Sequence, residues 1–220
     1  MHAIAFLDVD ETLLTINSMS GFLVAHLRDR GHTSEQVHAV LRELAALDVG
    51  GDRDAVSRAY YATFAGVRPQ DLLALGERWF RGLAPDVFHP QVAAEVAAAR
   101  DAGTYVVLVS GAPGATVAPV ARALGAHAWF ATVQEHRDGV LTGVASDVVV
   151  GARKADVVRQ VMRERGVGAE QCVAYGDHAS DLAMLEAVGE GVVVGDDPVL
   201  TAAAARRGWR LLPAVGSATH

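Results

Sequence analysis

A five-residue apolar run, Ala3-Ile4-Ala5-Phe6-Leu7, gives way at once to Asp8-Val9-Asp10-Glu11-Thr12. The run has the length and composition of a buried strand. Two carboxylates one residue apart at the end of such a strand are costly unless something binds them. A fold for this chain therefore has to bring partners to that strand end. Strand alternation sets Asp8 and Asp10 on one face. Such a pair can hold a hard cation, divide the work of nucleophile and general acid/base, or close a turn. The spacing alone leaves all three open.

The rest of the chain narrows the choice. Residues after the first strand read as four successive helices, Ser18–Arg30, Ser34–Leu47, Asp52–Ala65 and Pro69–Arg81, with no strand between them. Ser34 and Asp52 suit N-caps, and Pro69 suits a first helical turn. From Pro90 onward, strands and helices alternate. The strands are Thr104–Val109, His127–Thr132, Gln171–Tyr175, Gly191–Val194 and a last short run at Trp209–Leu212. The helices are Pro90–Ala102, Pro113–Leu124, Arg153–Arg165, Ser180–Ala187 and Pro198–Arg207. Val133–Arg137 and Val140–Val144 flank Asp138-Gly139, a two-residue hairpin signal. Strands alternating with helices imply an α/β fold, a Rossmann-like parallel sheet with helices on both faces. The four-helix stretch reads as a small helical domain inserted after the first strand. The boundaries are 1–14 and 85–220 for the α/β core and 15–84 for the insert. The tail Ala214–His220 reads as frayed.

Bulk properties exclude several classes. A chain of 220 residues with 51% hydrophobic and 20% charged content is that of a soluble globular protein. A net charge of -7 argues against nucleic acid or an anionic membrane as the main partner. No apolar run approaches the roughly 20 residues that span a bilayer. The N-terminus shows no signal peptide, and the single cysteine, Cys172, excludes an internal disulfide and reads as a core residue. The chain reads as cytoplasmic, a monomer or homodimer. Lys154 is the only lysine among 19 basic residues, all the others being arginine.

In a parallel sheet, ligands collect at the carboxyl ends of the strands. Asp8, Asp10 and Thr12 follow the first strand. Ser110 and Gly111 follow Thr104–Val109, and Gly176, Asp177 and Asp181 follow Gln171–Tyr175. Lys154 begins the helix before that strand. With these residues in this order, the sequence resembles the haloacid dehalogenase-like hydrolase superfamily. The likeness rests on Asp8-Val9-Asp10-Glu11-Thr12, Ser110-Gly111, Lys154 and Gly176-Asp177-His178-Ala179-Ser180-Asp181. The ending Val193-Val194-Gly195-Asp196-Asp197-Pro198 with Gly208-Trp209 is similar to the phosphoserine-phosphatase-like branch.

That resemblance implies a phosphatase, a phosphoric monoester hydrolase dependent on Mg²⁺, with roles for each residue. Asp8 would attack phosphorus to form an aspartyl-phosphate, and Asp10 would serve as acid and then base. Mg²⁺ would be held by Asp8, the Asp10 carbonyl and Asp177. Ser110 and the Gly111 N–H would grip the phosphate, and Lys154 would neutralise its charge. Asp181 would orient Lys154 or a metal-bound water, and Thr12 would shape the turn. An arginine-rich chain that keeps lysine at this one place fits a steric need for the smaller cation.

The insert lacks strands, which points to a small-molecule phosphate ester as substrate. Well-known members of the branch act on phosphoserine and carry an acid shortly after the first motif to meet its amine. Here that segment, Thr15-Ile16-Asn17-Ser18-Met19-Ser20-Gly21, has none. Asn17 and Ser18 could hydrogen-bond a neutral leaving group, and His178 could touch substrate at the mouth. Tyr60, Tyr61, Phe64, Trp79 and Phe80 read as helical core more than as pocket lining. Two alternatives stand beside a phosphatase. One is a phosphotransferase passing the phosphoryl group to an alcohol. The other is a catalytically silent binding protein.

Overall fold

The structure, a computed structural model, describes residues 2–49 and 53–215. The chain runs β1 (Ile4–Leu7), α1 (Ser18–Asp29), α2 (Ser34–Val49), α3 (Arg53–Ala62), α4 (Pro69–Arg81) and α5 (Pro90–Asp101). It continues through β2 (Tyr105–Pro113), α6 (Gly114–Leu124), β3 (Ala128–Arg137), β4 (Val140–Asp147) and α7 (Ala152–Arg165). It ends with β5 (Cys172–Gly176), α8 (Leu182–Glu186), β6 (Glu190–Val194), α9 (Pro198–Arg207) and β7 (Arg210–Leu212). Gly50, Gly51, Asp52, read above as a cap, and the tail from Gly216 lie outside the described residues.

The strands form one sheet of order β4-β3-β2-β1-β5-β6-β7. Every pairing is parallel except β3 with β4. From β1 the chain builds outward through β2 on one side and later returns to β5 on the other. The order thus reverses beside β1, and the crevice at its carboxyl end is where such sheets bind ligands. Alternation along β1 sends Ala5 and Leu7 into the layer of α5 and α6, and Ile4 and Phe6 into the layer of α7, α8 and α9. Asp8 continues the second set, so it leaves the strand on the face that α7 covers.

Helices α1 to α4 have their own core of Phe22, Leu23, Tyr61, Phe64, Leu72 and Leu75. Phe22, Tyr61 and Phe64 are fully buried, and each such side chain contributes about 1.5–3 kcal/mol. This unit sits on the sheet layer through α4 against α6. Gly76 makes the contact possible: a Cβ there would lie 1.9 Å from the Ala115 carbonyl oxygen. Arg122 of α6 pairs with Glu77 beside it at 2.8 Å. Among the described residues no helix is long and apolar enough to cross a membrane. Cys172 is buried, and burial pushes its thiol up to about 11.

Three local expectations change. The strand read as His127–Thr132 and the arm read as Val133–Arg137 are one strand, β3. Its first half pairs with β2 and its second half with β4. The hairpin itself stands, with Asp138 at φ 51° and Gly139 at φ 81°, the two left-handed residues that a tight hairpin requires. The cap of α2 is Thr33 in place of Ser34. The Thr33 hydroxyl accepts from Gln36 N at 3.3 Å and Thr33 N donates to Gln36 Oε1 at 2.8 Å, a reciprocal capping box. The helix read as Ser180–Ala187 opens with a 3₁₀ turn, Ala179–Asp181, before α8.

Candidate active site

Asp8 is fixed first by backbone: its N–H donates to the Tyr175 carbonyl at 3.0 Å, extending the β1–β5 pairing by one residue. Lys154, in the first turn of α7, reaches the same face. Its Nζ lies 2.5 Å from Asp8 Oδ1 and 2.6 Å from Asp181 Oδ1. Lys154 is 3% exposed and Asp181 1%. The other Asp181 oxygen accepts the N–H groups of Asp177 and His178, each at 3.3 Å. One buried carboxylate therefore aims the lysine and also pins the loop that carries Asp177. Asp177 takes a further bond from the Thr12 hydroxyl at 2.7 Å.

The Thr12 bond revises the expectation that this hydroxyl shapes its own turn. The turn is held by backbone: Leu13 N and Leu14 N both donate to Val9 O, with Glu11 at φ 57°. The hydroxyl is thereby released to join the first motif to the last.

Oxygens of Asp8, Asp177 and Asp181 lie within 4.8 Å of one another. Burial raises the pKa of Asp8 well above the ordinary range, with Lys154 pulling it down and Asp181, Asp177 and Asp10 pushing it up. Burial likewise pushes Asp177 up to about 6, against the bond from Thr12. For Lys154, burial lowers the pKa, but the charges of Asp181 and Asp8 outweigh it and the ammonium is held more firmly than usual. A buried oxygen-only cluster with more carboxylates than cations is the donor set that suits a hard divalent ion such as Mg²⁺. Asp181 is already committed to Lys154 and two amides, so Asp8 and Asp177 are the carboxylates left to face an ion.

Asp10 points elsewhere. Its Oδ2 accepts from Met19 N at 3.4 Å, at the first turn of α1, where the helix end favours negative charge. Its Oδ1 is buried without a hydrogen-bond partner among the described residues. Burial raises its pKa, opposed by the Ser18 hydroxyl and the Ser18 and Met19 N–H groups. Two neighbouring carboxyls thus stand in different environments, the arrangement that separates acid/base work from nucleophilic work.

Ser110 is buried, with its Oγ accepting from Ala112 N at 3.1 Å. The Gly111 carbonyl accepts two hydroxyls, from Tyr61 and Thr132, both at 2.8 Å. These two side chains fix the irregular end of β2 that carries Ser110-Gly111, and Tyr61 does so from the helical insert. Thr132 escaped the sequence reading although it closes the parallel part of β3, the signal that marked Ser110. Tyr61 reads from sequence as core more than as pocket lining; no local pattern distinguishes its hydroxyl from that of Tyr60, which bonds Met19 O at 3.1 Å.

The three residues considered for specificity separate. Asn17 caps α1, its Oδ1 accepting from Ser20 N at 2.9 Å, and it lines a cavity of about 370 Å³ that also touches Gly111. Ser18 is fully buried beside Asp10 and does not line that cavity. His178 caps the 3₁₀ turn, its Nδ1 accepting from Ser180 N at 3.1 Å, and it too lies outside the cavity wall. Among the aromatics only Tyr60 reaches this cavity.

With this geometry in hand, comparison with known proteins gives a consistent answer. The family model of haloacid dehalogenase-like hydrolases matches residues 5–186. A phosphoserine phosphatase of Mycobacterium tuberculosis is 31% identical over 217 residues, covering 96% of this chain and 70% of that protein. A crystal structure of a Bordetella pertussis protein of unknown function superposes with a TM-score of 0.83 at 25% identity, covering 95% of this chain and 97% of that one. A phosphoserine phosphatase structure described as a phospho-aspartyl intermediate analogue shares the fold, with a TM-score of 0.69 at 18% identity over 96% and 93% of the two chains.

Proposed function

This chain belongs to the haloacid dehalogenase-like hydrolase family, and from that membership we propose that it is a Mg²⁺-dependent phosphomonoesterase acting on a small-molecule phosphate ester. The observation that carries the reading is the buried array in which Lys154 Nζ bridges Asp8 and Asp181 while Thr12 holds Asp177. An ammonium bonded to the nucleophile counters the burial that raises its pKa and so favours the carboxylate form that attack requires.

In this reading Asp8 attacks phosphorus as the P–O bond to the alcohol breaks, giving an aspartyl-phosphate. Asp10, whose raised pKa suits it to carry a proton, donates to the departing alkoxide. It then takes a proton from the water that attacks the phosphorylated Asp8, and inorganic phosphate leaves. Lys154 offsets negative charge on the transferring group, and Asp181 keeps it aimed. Ser110 and the Gly111 N–H bind phosphate oxygens at the end of β2 that Tyr61 and Thr132 hold still. Asp8, Asp177 and the Asp10 backbone carbonyl would hold Mg²⁺, which when bound neutralises phosphate charge that these carboxylates alone would repel. Residues 15–84 act as a cap over the core formed by 1–14 and 85–220, excluding water and choosing the alcohol.

Hydrolysis of an aryl phosphate, measured with Mg²⁺ and in EDTA for wild type and Asp8→Asn, tests the reading. Turnover in wild type that needs the cation and is lost in Asp8→Asn is the expected result. Turnover that survives either change overturns it.

A further inference from the structure

The cavity that opens from Gly111 is walled by α1, α2, α3 and the segment before α7, and its chemistry is one-sided. Leu23, Leu41, Leu44, Val56, Val148 and Val150 line it. Among the described residues none of those lining it is acidic, basic or histidine. Its polar side chains, Asn17, Ser20, Ser57 and Tyr60, are all uncharged. Asn17 Oδ1 caps α1, and the Tyr60 hydroxyl is given to Met19 O. Its volume, about 370 Å³, lies at the small end of the range for ligand pockets. A phosphate gripped at Ser110-Gly111 would direct its alcohol into this space.

An amino-acid leaving group carries an ammonium and a carboxylate. Moving either into an apolar wall without a partner is strongly unfavourable. A hydrocarbon body entering the same wall is favoured in proportion to the area it buries. From this we infer that the physiological substrate class is phosphate monoesters of uncharged alcohols with a largely hydrocarbon body, alkyl or aryl, and that phosphoserine is not the preferred substrate. The inference rests on the phosphomonoesterase reading above and specifies the alcohol that reading leaves open.

The test is release of inorganic phosphate by the full chain with Mg²⁺ from methyl, butyl, hexyl and octyl phosphates, phosphoserine and phosphoethanolamine. The expected kcat/KM rises about fourfold per added CH₂ until the cavity is filled. Phosphoserine is expected to fall at least about a hundredfold below hexyl phosphate. A flat chain-length series, or phosphoserine matching hexyl phosphate, overturns the inference and leaves the phosphatase reading intact. Hydrolysis of none of the six esters overturns both. A variant supplies a second arm. Val56 is half-buried on α3, where glutamate is well tolerated in a helix. Val56→Glu is expected to lower the hexyl-to-methyl ratio of kcat/KM at least tenfold and to raise phosphoethanolamine relative to hexyl phosphate. An unchanged ratio in the folded variant overturns the inference, and if the variant does not fold, the wild-type series decides alone.

Discussion

Asp177→Asn separates the demands of function from those of stability. Asp177 is pushed from an ordinary value of 3.8 up to about 6, first by burial and then by Asp181, against the Thr12 bond. A carboxyl with a raised native pKa binds its proton more tightly folded than unfolded. Its favourable contribution is therefore complete below about pH 4 and is lost as pH rises through 6. The shift of about two units, at roughly 1.36 kcal/mol each, makes the ionised side chain a liability of about 3 kcal/mol at pH 7 without metal. Asparagine has no charge to desolvate and can still accept the Thr12 hydroxyl. In EDTA at pH 7 the variant is expected to be more stable than wild type by about 2–3 kcal/mol. For a chain of this length that is roughly 5–10 °C in Tm. The gap should shrink towards zero near pH 4. Saturating Mg²⁺ at about 100 times its Kd should restore about 2.7 kcal/mol to wild type and far less to the variant. Denaturant and thermal melts of both proteins, with and without Mg²⁺, measure all of this. A variant less stable than wild type in EDTA at pH 7 would refute the reasoning.

Three further outcomes follow from other contacts. Lys154→Arg keeps the charge but forces a planar fork between carboxylates 2.5 and 2.6 Å from the present nitrogen. It is expected to fold and to lose at least about tenfold in kcat, roughly 1.4 kcal/mol, and turnover within twofold of wild type in the aryl phosphate assay would contradict the steric reading. Removing the Tyr61 hydroxyl in Tyr61→Phe should cost about 1 kcal/mol, because Thr132 still satisfies the Gly111 carbonyl. Adding Thr132→Val orphans that carbonyl, so denaturant titration of the double variant should show a loss larger than the sum of the singles. Gly76→Ala meets the Ala115 carbonyl and should destabilise by about 1–3 kcal/mol despite a better helix propensity, a sign that a thermal melt decides.

Much of the site was legible because its signals are local. A parallel strand ends in the polar residues that face the crevice, so Asp8, Ser110-Gly111 and Asp177 announce themselves by position. Lys154 stands out in an arginine-rich chain, and Asp181 sits one turn beyond Asp177. The bridge from Lys154 Nζ to both Asp8 and Asp181 follows from that layout once α7 covers the face that Asp8 leaves. What was not legible depends on long-range contact. The Thr12 bond to Asp177 spans 165 positions, and nothing near Thr12 predicts it. The Tyr61 and Thr132 hydroxyls meet on one carbonyl from different elements. Periodicity placed the helices well, with Pro69–Arg81 of the insert and Pro198–Arg207 of the core found to the residue. It failed where one strand changes partner, as β3 does between β2 and β4. The burial of Ser18 beside Asp10 is likewise a matter of how α1 meets the first motif, which no residue near Ser18 announces.

In the proposed reaction Asp8 is the residue that becomes phosphorylated. Acid quenching of wild type during turnover of an aryl phosphate with Mg²⁺, followed by peptide mass spectrometry, tests it most directly. A phosphoryl group on Asp8, absent in EDTA and absent in Asp8→Asn, is the expected result. A phosphoryl group on another residue, or Asp8→Asn turning over at the wild-type rate, would contradict it.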